Sequence, residues 1–113
     1  MGGGSSGYGN GSGSNITKIN ANKQARHDKS SKKYIKGRSY TTIHKSTIQM
    51  FVGDNIGTAQ RIGNNKYRVR SKQTIGIYID KRGIEHPTTN AIIVTSKTGS
   101  HIYPSRPDDF KED

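Results

Sequence analysis

The chain has no cysteine and no tryptophan, and acid is scarce: 8 Asp and Glu stand against 19 Lys and Arg, a formal charge of +11 over 113 residues. Without cysteine, no disulfide framework holds a small fold together. Apolar residues make up 27% of the chain, and no apolar run approaches the ~20 residues that a membrane-spanning helix needs. The start of the chain has no hydrophobic signal-peptide core; if the domain is exported, another part of a longer protein carries the address. Aromatic residues are few, six Tyr and two Phe, which counts against a surface built for stacking single-stranded bases. What remains is material for one small domain with a modest core and a large excess of cations.

Neither the glycines nor the cations are evenly spread. Residues 1–14, MGGGSSGYGNGSGS, hold seven of the 14 glycines and four serines, the composition of a flexible linker. Such a start before a basic domain fits a module cut from the end of a longer protein. Residues 15–107 are expected to form the domain. Between Lys18 and Lys45 lie nine basic residues and one acid, Asp28. Residues 108–113, DDFKED, reverse the sign with four acids; such a tail can stay solvated or pair with the basic segment, and a short charged terminus is expected to stay solvated. A basic surface attracts polyanions through counterion release, and nucleic acid is the expected partner.

Hydrophobic spacing divides the domain. A short helix is expected around Asn20 to His27. In HKSTIQMFVGDNIG, residues 44–57, Ile48, Phe51 and Val52 share a helical face, and Gly53 suits the C-terminal stop. The period then changes to two. TAQRIGNNKYRVRSK reads as a hairpin turning at Gly63-Asn64-Asn65. On its second arm Tyr67 and Val69 point one way and Lys66, Arg68, Arg70 and Lys72 the other. Four cations on one strand face exclude a core, so that face meets solvent or a phosphate backbone. In TIGIYID, Ile75, Ile77 and Ile79 face inward, and Asp80-Lys81-Arg82-Gly83 forms a tight turn. AIIVTSK is the most buried strand, and Thr98-Gly99 turns the chain into SHIYP. The predicted fold is α+β: one or two short N-terminal helices packed on a four- to five-stranded antiparallel sheet.

The chemistry available is narrow. His27, His44, His86 and His101 are scattered, with no cysteine and few acids nearby, so no zinc or magnesium cage and no cofactor is expected. There is no phosphate-binding glycine loop with a following lysine and no nucleophile elbow. Histidine, lysine, arginine and hydroxyl groups are what metal-independent RNA cleavage uses. The substrate's 2'-hydroxyl is the nucleophile; the protein supplies a base for it, an acid for the departing 5'-oxygen, and donors for the charge on the phosphorane. A histidine, with an ordinary pKa of ~6.5, can fill either proton-transfer role at neutral pH. Residues 91–107, AIIVTSKTGSHIYPSRP, concentrate such groups. Plainer readings exist for each. A lone histidine after a turn is commonly a hydrogen-bonded surface residue, His44 and His86 read as structural, and Thr88-Thr89 after Pro87 can spend their hydroxyls on backbone.

Five segments, NKQARH (22–27), GRS (37–39), IGIYID (75–80), PTTNAII (87–93) and SKTGSHIYPSRP (96–107), in this order resemble the type-50 domain of bacterial polymorphic toxins. The resemblance covers roughly residues 20–107, and related modules are attached to phage head proteins. It implies the barnase/EndoU/colicin/RelE-like fold of metal-independent ribonucleases. It also implies delivery from a producing bacterium as part of a larger protein, action in the target-cell cytoplasm, and a dedicated immunity protein, expected to be acidic. The matched polar positions are His27, Arg38, Ser39, Thr88, Thr89, Ser96, Lys97, His101 and Arg106. Where that family often carries His-Tyr before the Ser-Lys pair, this chain has Val94-Thr95, so it either relies on His27 and His101 or is impaired.

The expected site follows. His27 and His101 are acid and base in an unassigned order, Lys97, Arg38 and Arg106 clamp the phosphate, and Thr89 and Ser96 donate hydrogen bonds to it. Ser39, Thr88, Arg68 and Arg70 bind substrate. The expected substrate is RNA, taken by a domain that is monomeric when free. Strand alternation would put Ser96 and Lys97 on opposite faces unless a bulge intervenes. The other reading is a non-catalytic basic nucleic-acid-binding or capsid-associated domain, which needs the cations but not the histidines.

Overall fold

A computed structural model describes residues 16–111; the segment read as a linker, residues 1–14, lies outside them, as do residues 112 and 113 of the acidic tail. Asn20 has extended backbone, and its side chain accepts from the Lys23 N–H at 3.1 Å, which starts helix α1 (Ala21–Ala25). Five residues cannot hold a helix unaided, so α1 depends on tertiary contacts. After β1 (Tyr40–Thr41), His44 caps α2 (Lys45–Asn55), its ring accepting from the Ser46 N–H at 3.2 Å. This helix buries Ile48 and Val52 at 2% and 0% exposure. It does not stop at Gly53. The Ile56 N–H still bonds Val52 O at 2.9 Å, and Ile56 packs against the core; that burial outweighs the glycine's weak helix preference.

Among the described residues seven strands form two antiparallel sheets. One joins β1 with β4 (Gly76–Ile79) and β5 (Glu85–Thr88). The other has the order β2-β3-β6-β7, from β2 (Gln60–Gly63), β3 (Lys66–Arg70), β6 (Asn90–Val94) and β7 (His101–Pro104). The fold is therefore α+β as expected, with its strands divided between two sheets instead of gathered in one. Pro87 cannot donate to a ladder and sits on β5, an edge strand. The sheets meet closely at Gly76, where a Cβ would stand 2.4 Å from Pro104 Cγ and 2.6 Å from Tyr40 O. Only glycine lets β4 pass there.

Register decides what each face of the four-stranded sheet presents. Lys66, Val94 and His101 form one cross-strand row, and Arg68, Ile92 and Tyr103 the next. Directly paired residues project to the same side, so both histidine and cations share a face. Val69, Ala91, Ile93 and Ile102, none more than 6% exposed, occupy the opposite face and pack on Ile48 and Val52 of α2. The alternation in KYRVR thus separates core from cationic face as its pattern predicts, whereas Lys72, expected in the same stripe, lies past the end of β3.

The tail departs from the expectation of a solvated end. Asp108 pairs with the Arg70 guanidinium and accepts from Asn90 Nδ2 at 2.9 Å. Phe110 stacks on His86 with centroids 4.0 Å apart. An aromatic ring among the acids gives this segment something to bury. Among the described residues no helix is long and apolar enough to cross a membrane.

Candidate active site: a histidine pair on the cationic sheet face

The site is assembled by a glutamine. β7 lies at the edge of its sheet, and Gln24, 4% exposed, serves as the missing neighbour of Ile102. Its Nε2 donates to Ile102 O at 3.0 Å and its Oε1 accepts from the Ile102 N–H at 2.8 Å. The ladder continues outside α1, with the Asn20 N–H bonded to Ser100 O and the Ser100 N–H to Lys18 O, both at 2.7 Å. These bonds lay residues 18–24 along β7 and carry His27, just past α1, over the two residues that flank Ile102.

The His27 and His101 rings are stacked, with centroids 5.8 Å apart and an interplanar angle of 12°. Tyr103 stacks on His27 from the other direction at 5.7 Å. His27 Nδ1 is 3.0 Å from Ser39 O. A carbonyl only accepts, so Nδ1 carries the hydrogen and the neutral ring presents a bare Nε2. The Ser39 segment is fixed in turn, because its hydroxyl accepts from the Ile79 N–H at 2.9 Å and the Thr41 N–H bonds His27 O at 2.8 Å. An open cleft of about 500 Å³ results, lined by both histidines with Arg38, Ser39, Lys66 and Tyr103. Burial, then His27 in its charged form, Lys23 and Arg26, push His101 down to about 4. His27 is lowered too, chiefly by burial and further by Arg38 and Arg26, against the opposing bond to Ser39. Both rings are therefore neutral at pH 7, and an anion in the cleft would raise both.

A model of the family described as bacterial toxin 50 matches residues 19–104, from the segment along β7 to the last residue of β7. The chain belongs to the bacterial toxin 50 family. No curated protein matches it. The matched region of this toxin 50 domain includes both sheets, Gln24, and the whole histidine pair.

The remaining expected residues of the toxin 50 domain separate by position. Arg38 and Ser39 join the histidines, though the Ser39 hydroxyl is engaged by Ile79. Arg106 lines an adjoining hollow that shares Ser39 and Tyr103 with the cleft. Arg68 is exposed in the row containing Tyr103, whereas Arg70 is held by Asp108 and Asn90. Thr88 and Thr89 are not brought to the pair. The Thr88 hydroxyl donates to Ser105 O at 2.8 Å and accepts from the Asn90 N–H at 3.0 Å. Thr89 precedes the end of β6 opposite to Val94, the partner of His101, a strand length of roughly 16 Å.

Ser96 and Lys97 fall beyond β6, in the turn, so strand alternation does not govern them. Ser96 Oγ donates to Gly99 O at 2.7 Å, and Lys97 is exposed and does not line the cleft. The cation beside His101 on the sheet is Lys66. Sequence reasoning placed Lys66 only in a general basic stripe and counted Tyr103 among the polar groups of residues 91–107 without giving it a role, although its spacing of two from His101 puts both on one strand face. His86 bonds Asp80, and His44 caps α2. Among the described residues no three His, Asp or Glu side chains converge as a metal site requires.

Proposed function

We propose that this toxin domain is a metal-independent endoribonuclease that cleaves by transesterification through the 2'-hydroxyl. The observation that carries the reading is the stacked His27–His101 pair, without a carboxylate partner among the described residues, in a cleft rimmed by Lys66 and Arg38. His27 Nε2, bare because Nδ1 is committed to Ser39, takes the proton of the 2'-hydroxyl. The 2'-oxygen forms its bond to phosphorus while the bond to the 5'-oxygen breaks. His101 delivers a proton to that leaving oxygen, giving a 2',3'-cyclic phosphate and a free 5'-hydroxyl. The bound phosphodiester brings the negative charge that lifts His101 from its low free value. Lys66 and Arg38 hold the phosphorane's charge.

A toxin aimed at RNA acts in the cytoplasm of the recipient cell, and an immunity protein that neutralises it would carry acidic groups complementary to the cationic sheet face. The test is incubation of total bacterial RNA in EDTA with the domain and with His101→Ala. Fragments ending in 2',3'-cyclic phosphate from the parent, and none from the variant, are expected. Intact RNA retarded on a native gel by both proteins would mean a binder without chemistry.

A further inference from the structure

The groove does not end at Tyr103. Ser39 and Tyr103 also wall a second hollow of about 470 Å³, within the ~300–1,000 Å³ of small-molecule sites. Its chemistry differs from that of the histidine cleft. Ile92, 5% exposed, and buried Pro104 are apolar lining, Tyr78 and Tyr103 supply aromatic rings, and Lys81 and Arg106 add positive charge. Two of the chain's six tyrosines are gathered here, in a protein otherwise poor in aromatic surface. Apolar and aromatic walls with exposed cations suit a flat uncharged ring attached to an anionic chain, which is the form of a nucleotide.

Continuity says which nucleotide. The row Arg68–Ile92–Tyr103 lies two residues along each strand from the row Lys66–Val94–His101. That is about 7 Å, roughly one nucleotide's advance of an extended strand. We infer that the second hollow binds the base of the nucleotide adjoining the scissile phosphate, with Tyr78 and Tyr103 against the ring and Arg106 and Lys81 on the next phosphate. The assignment rests on the ribonuclease reading of the histidine pair, and it makes this hollow the determinant of which base flanks the cut.

The probe is a fluorescent single-stranded RNA with every ribose 2'-O-methylated, so that it cannot be cleaved, and with one abasic position moved stepwise along it. Binding to the parent should weaken about tenfold when the abasic position reaches the hollow. Tyr78→Ala should weaken binding of the intact probe by a similar factor and of that abasic probe hardly further, since both changes remove the same stack. Tyr78→Phe, which keeps the ring, should bind as the parent does and controls for folding. Arg106→Gln should weaken all probes equally and reduce the salt dependence. Losses that multiply, or an abasic scan without a sensitive position, would overturn the base site; so would a Tyr78→Ala protein that folds and binds every probe as the parent does, a hollow left for a protein partner. Unmodified RNA of the same sequence separates the two proposals. If it is cut while the abasic scan is flat, the base site fails and the ribonuclease stands. If it stays intact while the coupling appears, the ribonuclease fails and a base-binding groove stands.

Discussion

His27 with His101, and His86 with Asp80, are two ways of drawing an imidazole out of water, and they leave it with opposite capacities. His86 Nε2 lies 2.7 Å from Asp80 Oδ2, and its ring rests on Phe110. The other Asp80 oxygen accepts from the N–H groups of Arg82 and Ile84 at 2.8 and 2.9 Å. Ring, carboxylate and the β4–β5 turn form one closed arrangement, and Asp80 is held below its ordinary 3.8 chiefly by the His86 bond. His27 and His101 have a backbone carbonyl, each other, and the cations Lys23, Arg26 and Arg38. An imidazole with its own carboxylate has its counterion built in. An imidazole kept neutral among cations leaves that place to an anion that arrives from outside. The sequence contains four histidines of equal chemical promise, and these surroundings are what separate them.

The largest effect that sharpens this contrast is catalytic. Given the ribonuclease reading, His101→Ala should lower the initial rate of RNA cleavage by ~10² to 10⁴, while His86→Ala leaves that rate unchanged. Gln24→Ala attacks the contrast through the fold: it strips partners from a buried N–H and a buried C=O of Ile102. Urea unfolding should show a loss of about 2–6 kcal/mol, since each orphaned group costs ~1–3 kcal/mol, and cleavage should fall with it.

Acid should distinguish the two sites by pH window. His101 is lowered from 6.5 to about 4, so between those values the unfolded chain takes up a proton that the folded ring refuses. Stability therefore falls as the pH drops from 6.5 through about 4. Asp80 is also lowered, from 3.8, so its contribution is intact above 3.8 and is lost as the pH falls through its still lower folded value. Calorimetry against pH should resolve the two ranges, with His101→Asn reducing the slope of the upper, which the also-lowered His27 shares, and Asp80→Asn flattening the lower. The smallest effect belongs to His86→Phe, which keeps a ring against Phe110 and loses the bond to Asp80. Its thermal midpoint should drop by a few degrees, with cleavage unaltered.

Much of this architecture was legible where one physical demand dominates. Four cations at every second position cannot enter a core, so Lys66, Arg68 and Arg70 announced the solvent side of β3, and Ile48 with Val52 announced the buried side of α2. Strands β1 and β5 were not legible, because two residues and a proline-bearing EHPT show no alternation. The end of β6 at Val94 was also hidden; Lys97 was expected at the site from the family resemblance, and it is Lys66 that lines the cleft. Thr89 stands next to the best hydrophobic run, but a strand puts sequence neighbours of its two ends far apart. Gln24 is the deepest omission. A glutamine in a short helix looks like any surface residue until an edge strand 78 positions later is laid against it. The histidines were legible as residue types and through the family resemblance; their meeting depends on that one side chain.

That separation along the chain has a consequence for the life of the molecule. A nascent chain that has exposed Gln24 must still be extended by 78 residues before Ile102 exists to receive it. Contacts so distant in sequence close late, after the local hairpins. The two imidazoles therefore cannot meet during most of the domain's synthesis. A single cut between Lys81 and Arg82, at the exposed β4–β5 turn, would leave two pieces with one ring of the pair in each and the cleft in neither.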